Sequence, residues 1–132
     1  MDLSSAQIIA LGLGGCLGSM VRAALSAAIV RAGAPWVTVF AINVSGSFLI
    51  GLGYGGSAAI IPGAGADMTV LSNFFFGFLG GYTTVSTYTL QVLDRWQSGH
   101  HMGAVALGAG CVIICPLAAW AGVRALRAGG WS

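Results

Sequence analysis

The chain has 132 residues, of which 6% are charged and 57% are apolar, and its mean hydropathy is +0.90. A soluble domain carries about 25% charged residues and needs them to cover its surface. This composition excludes a water-exposed exterior and indicates an integral membrane protein. Five arginines and three aspartates are scattered along the chain. They form no basic face, which excludes nucleic-acid binding, and no buried carboxylate pair, so an enzyme is not expected.

Four apolar segments are long enough to cross a bilayer, which takes about 20 residues. They cover approximately residues 6–30, 36–61, 68–93 and 102–123. We predict an all-α membrane protein, with residues 1–132 forming a single transmembrane domain of four spans. Arginine counts on the two sides are two against two, so the positive-inside rule specifies no orientation. Either other signals decide the orientation, or both orientations insert and opposite copies pair.

The first segment carries one charge, Arg22, roughly 12 Å from its end at 1.5 Å per residue. Three roles are open: the side chain extends to the membrane boundary, caps a carbonyl, or supplies positive potential to an anion vestibule. Arginine cannot be neutralised by losing a proton. With no acid inside the membrane, Arg22 favours an anion as the transported species.

Glycine is unusually abundant, with 22 residues. Small residues four apart let helix backbones approach closely in lipid. The chain has four such pairs: Gly14/Gly18, Gly51/Gly55, Gly77/Gly81 and Ala104/Gly108. Every helix is therefore expected to have a packing face. Four helices enclose too little volume for a pore and its walls, so we also expect an oligomer.

The second segment contains Asn43, with Ser47 one turn later on the same face. A side-chain amide within hydrocarbon needs a partner. Asn43 is expected either to hydrogen-bond to another helix or to face a water-filled route through the protein.

The third segment carries the densest pattern, with Gly80 and Gly81 followed by hydroxyl and β-branched residues up to Thr89. This sequence disfavours a continuous helix. A break there would free carbonyls for a small cation and amide N–H groups at a new helix start. The alternative is an unbroken helix whose glycines pack and whose hydroxyls bond to their own turn.

The fourth segment contains Cys111 and Cys115, which lie one turn apart. Packing by small residues is favoured over a metal site because no histidine or acid lies nearby in that segment. His100 and His101 precede the segment, and we expect either a solvated interfacial pair or a pH sensor.

Three motifs make the chain resemble the small fluoride channels of microbes, the Fluc or CrcB family. They are Gly14-Gly15-x-x-Gly18-x-x-x-Arg22, the stretch from Asn43 to Gly51, and Gly77-Phe78-x-Gly80-Gly81-x-Thr83-Thr84-x-Ser86-Thr87. The resemblance spans nearly the whole chain. It implies a passive fluoride channel in the cell inner (plasma) membrane, made of two antiparallel copies with dual topology, whose third helix is broken at mid-membrane.

The resemblance also implies roles for individual residues. A structural Na⁺ at the dimer interface would be held by backbone carbonyls of Gly80 and Thr83, two from each subunit. The fluoride pathway would involve Asn43, Val85, Ser86, Thr87 and Tyr88. Arg22 would have a vestibule or structural role, and Gly80, Gly81, Thr83 and Thr84 would form the helix break.

Two departures from the family pattern bear on function. The family lines its pathway with two phenylalanines, and these positions are Val85 and Tyr88 here. The fourth helix is also less polar, with Leu107, Cys111 and Cys115 at the approximate positions of polar residues. One alternative is therefore a non-conducting or partner-requiring subunit of a heteromeric channel. A dual-topology drug exporter is the less favoured alternative, because the first segment lacks the carboxylate that proton exchange needs.

Overall fold

The computed structural model describes residues 4–60 and 66–128, and the regular elements of these stretches are all α-helices. In chain order they are α1 (Ser5–Arg31), α2 (Thr38–Ile60), α3 (Ala66–Tyr82), α4 (Ser86–Gln97) and α5 (His101–Ala128). The predicted all-helical fold is confirmed. The predicted end of the second segment at residue 61 lies outside the described residues.

The ends of the helices follow from local sequence. Ser4 caps α1 because its hydroxyl accepts from the Gln7 N–H, while the Gln7 side chain accepts from the Ser4 N–H. Gly33 after α1 and Gly99 after α4 both have positive φ, at 85° and 81°. Glycine adopts this left-handed conformation without a steric cost, so both helices end in tight turns.

Among the residues that the structure describes, three helices have the length and hydropathy of membrane-crossing segments: α1, residues 38–55 of α2, and α5. Large apolar side chains on α1 and α5 are exposed, for example Met20, Met102 and Trp120. A bilayer would cover such side chains, whereas water would not. The structure therefore has the character of a multi-pass membrane protein, as predicted.

Two close helix pairs organise the bundle, α1 with α3 and α2 with α5. In the first pair, a Cβ added at Gly14 would fall on the Phe74 carbonyl, and one added at Gly18 would fall on the Phe78 carbonyl. The backbones touch because these positions carry no side chain. The predicted packing of Gly14/Gly18 is therefore confirmed.

The second pair uses the same device. A Cβ at Gly51 would meet the Ala119 carbonyl, and one at Gly122 would meet the Phe48 carbonyl. The short helix α4 packs mainly against α5, whereas α3, which precedes it, packs mainly against α1. The chain thus passes from one helix pair to the other between α3 and α4.

We predict that Gly18→Ala destabilises the protein by about 1–3 kcal/mol, because the new methyl group would require the α1 and α3 backbones to separate. Thermal unfolding of the detergent-purified protein, followed by circular dichroism, measures the effect.

Gly12→Ala is the matched control on the same helix, since a Cβ there meets nothing within 4 Å. It should leave stability unchanged or raise it by up to about 1 kcal/mol through helix propensity. Equal melting temperatures for the two variants would contradict the close packing of α1 on α3.

Candidate functional site

The third apolar segment is interrupted in the structure. Helix α3 ends at Tyr82 and α4 begins at Ser86, so residues 83–85 between them are not helical. An uninterrupted helix, one of the two alternatives for this segment, therefore does not describe residues 66–97. The interruption frees backbone groups that need partners, because each helix end leaves four groups without intrahelical bonds.

Asn43 of α2 supplies partners for the backbone at the interruption. Its side-chain N–H donates to the Thr84 carbonyl oxygen at 3.0 Å, and its side-chain oxygen accepts from the Thr84 N–H at 2.9 Å. The amide side chain thus replaces the helical bonds that Thr84 has lost. Two roles were expected for Asn43, and the structure shows the first, a hydrogen bond to another part of the helical bundle. Its second amide N–H makes none of the described hydrogen bonds.

Two threonines close the helix ends on either side. The Thr83 hydroxyl donates to the Leu79 carbonyl oxygen at 3.0 Å, and the Thr83 N–H donates to the same oxygen at 2.9 Å in the last helical bond of α3. The Thr84 hydroxyl accepts from the Thr87 N–H at 3.3 Å and donates to the Thr87 hydroxyl at 3.2 Å. The Ser86 hydroxyl lies 3.3 Å from the Thr84 hydroxyl. Thr84 therefore satisfies an N–H of the first turn of α4, as capping residues do.

Arg22 of α1 caps the end of α3. Its Nε–H donates to the Gly81 carbonyl oxygen at 3.3 Å, and the Ser19 hydroxyl donates to the same oxygen at 3.3 Å. The C-terminus of a helix carries partial negative charge, so a guanidinium there is favourable. Among the three roles considered for Arg22, carbonyl capping is the one seen. Ser19 was not singled out from the sequence, although it precedes Arg22 by three residues and so shares its helix face.

Three carbonyls at the interruption lack a hydrogen bond in the part of the chain that the structure describes. Those of Gly80, Tyr82 and Thr83 accept none of the hydrogen bonds described for residues 4–60 and 66–128. Gly80 is exposed, and a Cβ built on it would meet nothing within 4 Å. The Gly80 carbonyl oxygen is therefore open to a cation or a donor from another molecule, whereas Thr83 is half-buried and borders a cavity.

A cavity of about 390 Å³ lies beside the interruption. It is bounded by α2, by the start of α4 and by α5, and none of its described lining residues is charged. The lining consists of Asn43, Ser47, Ile50, Thr83, Thr84, Val85, Tyr88, Cys111, Val112 and Cys115. The structure thus brings together three of the five predicted pathway residues, Asn43, Val85 and Tyr88. Ser86 and Thr87 adjoin the interruption but do not line this cavity.

Tyr88 and Val85 occupy the positions where the sequence departs from the family pattern. The Tyr88 hydroxyl donates to the Gly108 carbonyl oxygen on α5 at 2.8 Å. This bond holds the ring against α5, and the hydroxyl proton is used in the bond to Gly108. Val85 borders the cavity and is 74% exposed. The sequence could not identify Gly108 as the partner of Tyr88, because every residue has the same backbone carbonyl and residue type does not show which one accepts a bond.

The fold and this site define a multi-pass helical membrane protein with an interrupted helix beside an uncharged cavity. The CrcB-like protein, Camphor Resistance (CrcB) family model matches residues 9–123. The chain therefore belongs to the CrcB family, which is a family of ion channels rather than enzymes.

Relatives in several bacteria share most of the chain. The fluoride-specific ion channel FluC of Rhizobium meliloti (strain 1021) is 38% identical over 128 residues, covering 92% of this chain and 97% of the relative. FluC of Geobacter sulfurreducens is 32% identical, with 91% and 96% covered. FluC 3 of Brucella suis biovar 1 is 37% identical, with 83% and 84% covered. The match extends over nearly the whole of these relatives.

We predict that Asn43→Ala lowers the free energy of unfolding by about 1–3 kcal/mol for each Thr84 group left unpaired. Chemical denaturation in detergent micelles measures this change.

Ser47→Ala is the control, because Ser47 lines the same cavity one turn along and makes none of the described hydrogen bonds. It should change stability by less than about 0.5 kcal/mol. If Asn43→Ala were as stable as Ser47→Ala, the amide could not be what holds the interruption.

Proposed function

We propose that the protein is a fluoride-selective passive channel that exports fluoride from the cytoplasm and so reduces fluoride toxicity. The observation that carries this proposal is the near full-length match to relatives named fluoride-specific ion channel. The uncharged cavity beside the interrupted helix supports it. No catalytic group or ATP-binding motif enters the proposal, because the ion moves down its electrochemical gradient.

Fluoride is small and strongly hydrated, so a pathway must replace its water with donors in sequence. The second amide N–H of Asn43 is one donor. The Thr87 hydroxyl is another, because it accepts the Thr84 proton and keeps its own. Ser86 lies beside them at the start of α4. These neutral dipoles attract an anion without a fixed charge that would trap it, which conduction requires.

Tyr88 would contribute its ring edge, which carries partial positive charge from the ring quadrupole. Its hydroxyl is already bonded to Gly108, so the edge and not the hydroxyl would face the ion. Val85 has no ring, and the pathway would therefore contain one aromatic edge where the family pattern has two.

We propose that α3 and α4 together form one span, broken at mid-membrane. Their 17 and 12 residues each fall short of the length of about 20 that crossing takes. With α1, α2 and α5 this gives four spans. The balanced arginines support insertion in both orientations and an antiparallel homodimer in the inner (plasma) membrane, with lipid around it.

We further propose that a structural Na⁺ lies at the dimer interface, coordinated by the carbonyls of Gly80 and Thr83 from both subunits. Hard cations take oxygen ligands, and these two carbonyls are unpaired in the described part of the chain. The residues present therefore fit such an ion. When bound, Na⁺ would supply a positive charge that holds the two interruptions together.

Fluoride efflux from proteoliposomes, recorded with a fluoride electrode, tests the channel. We expect fluoride to leave rapidly while chloride, measured in parallel, stays inside. Fluoride efflux no faster than from empty liposomes would defeat the proposal.

The role of the Tyr88 ring is tested with two variants in the same assay. Tyr88→Phe should retain fluoride efflux because the ring edge remains, whereas Tyr88→Leu should lose most of it. Comparable rates for the two variants would remove the ring from the pathway.

Replacing Na⁺ by N-methylglucamine on both sides of the membrane tests the structural ion. We expect fluoride efflux to fall and to recover when Na⁺ returns, because Gly80 and Thr83 then regain a cation. Efflux that is independent of Na⁺ would contradict the site, while leaving the fluoride channel itself intact.

A partner-requiring subunit is the second candidate. Val85 and the thiols of α5 favour it, because Val85 removes one ring edge from the pathway and the thiols make the α5 wall of the cavity less polar. In that case the chain expressed alone would fold and insert without conducting. Co-expression with a second channel subunit would then be needed to restore fluoride efflux.

A further inference from the structure

The α5 wall of the cavity carries two thiols that the proposed channel does not use. Cys111 is buried and Cys115 is half-buried, and both are free and line the cavity. They lie one turn apart, which places their Cβ atoms about 5–6 Å from each other on one helix face.

We propose that Cys111 and Cys115 together bind a thiophilic divalent metal ion of the kind that takes two ligands in a line, with Hg²⁺ as the representative. Thiolate sulfur is the soft ligand that such ions prefer. The corollary, that the bound ion closes the fluoride pathway, rests on the proposed function. The metal site itself does not depend on it.

The charge balance selects a divalent ion. On binding, two S–H bonds break, two sulfur–metal bonds form, and two protons leave to the solvent. Two thiolates and one divalent ion give a neutral complex, which a region of low dielectric tolerates. A monovalent ion on the same two thiolates would leave a net negative charge, which is costly to bury.

The number of ligands selects a two-coordinate ion. Structural Zn²⁺ takes four ligands in a tetrahedron. Within the described residues, no three or more His, Cys, Asp or Glu side chains are grouped to hold a metal. The pair on α5 therefore suits an ion that is satisfied by two sulfurs.

The position of the pair would make its occupation visible in transport. Cys111 and Cys115 share one cavity with Asn43 and Thr84, which lie at the interruption. A metal ion between the thiols would occupy space that the permeating anion needs. The third cysteine, Cys16, is exposed on α1 and does not line this cavity. Replacing Cys16 therefore gives a protein whose remaining cysteines are Cys111 and Cys115.

Binding is tested with purified full-length Cys16→Ser protein titrated with mercuric acetate. Intact mass and the count of remaining reactive thiols are measured together. We expect one mercury per chain and the loss of both thiols. In the same background, Cys115→Ala should bind mercury through Cys111 alone, and excess glutathione should remove that mercury. The protein with both thiols should retain its mercury under the same treatment. Two mercury ions per chain, or one thiol left reactive, would overturn the shared site.

Closure is tested by fluoride efflux from the same Cys16→Ser protein. With glutathione present, mercuric acetate should abolish fluoride efflux through this protein, and dithiothreitol should restore the efflux. Under the same conditions, mercuric acetate should leave any fluoride efflux through Cys115→Ala unchanged. Stoichiometric binding with unchanged efflux would overturn closure. If fluoride does not move even without mercury, the proposed function fails, and the mass titration still decides the metal site.

Discussion

The structure depends on the amide of Asn43, which bonds to both backbone groups of Thr84. A helix interrupted inside a membrane exposes backbone groups that lipid cannot satisfy. One side chain from α2 satisfies a donor and an acceptor at once. Arg22 and Ser19 satisfy the Gly81 carbonyl from the other side. The interruption is therefore held by α1 and α2 together.

Close helix packing at glycines determines the position of the interruption between α3 and α4. Close contact of α1 with α3 positions α3, and α5, which packs equally closely on α2, provides most of the surface that receives α4. Because the chain changes partner between residues 82 and 86, a cavity opens between α2, α4 and α5. Tyr88 ties α4 to α5 through the Gly108 carbonyl. A small bundle thereby holds a polar junction beside an uncharged space, which is the setting that the proposed anion route requires.

Much of this fold could be predicted from the sequence, because apolar length and glycine spacing report directly on helices in lipid. The limits of α1 and the packing of Gly14 and Gly18 follow from such patterns. The interruption could not be decided from composition, since glycines and threonines also suit a packed, continuous helix. Nor could the partners of Asn43 or Tyr88 be named. Both bond to backbone atoms 41 and 20 residues away, and a backbone carbonyl leaves no trace in residue identity.

The central claim is that two oppositely inserted copies cross at the stretch that Asn43 and Arg22 hold open. An experimental structure of the protein reconstituted in lipid tests it most directly. The account predicts a two-fold axis lying in the membrane plane, with Gly80 and Thr83 of both copies around one cation. Copies that point the same way, or a continuous helix through residues 80–86, would contradict it.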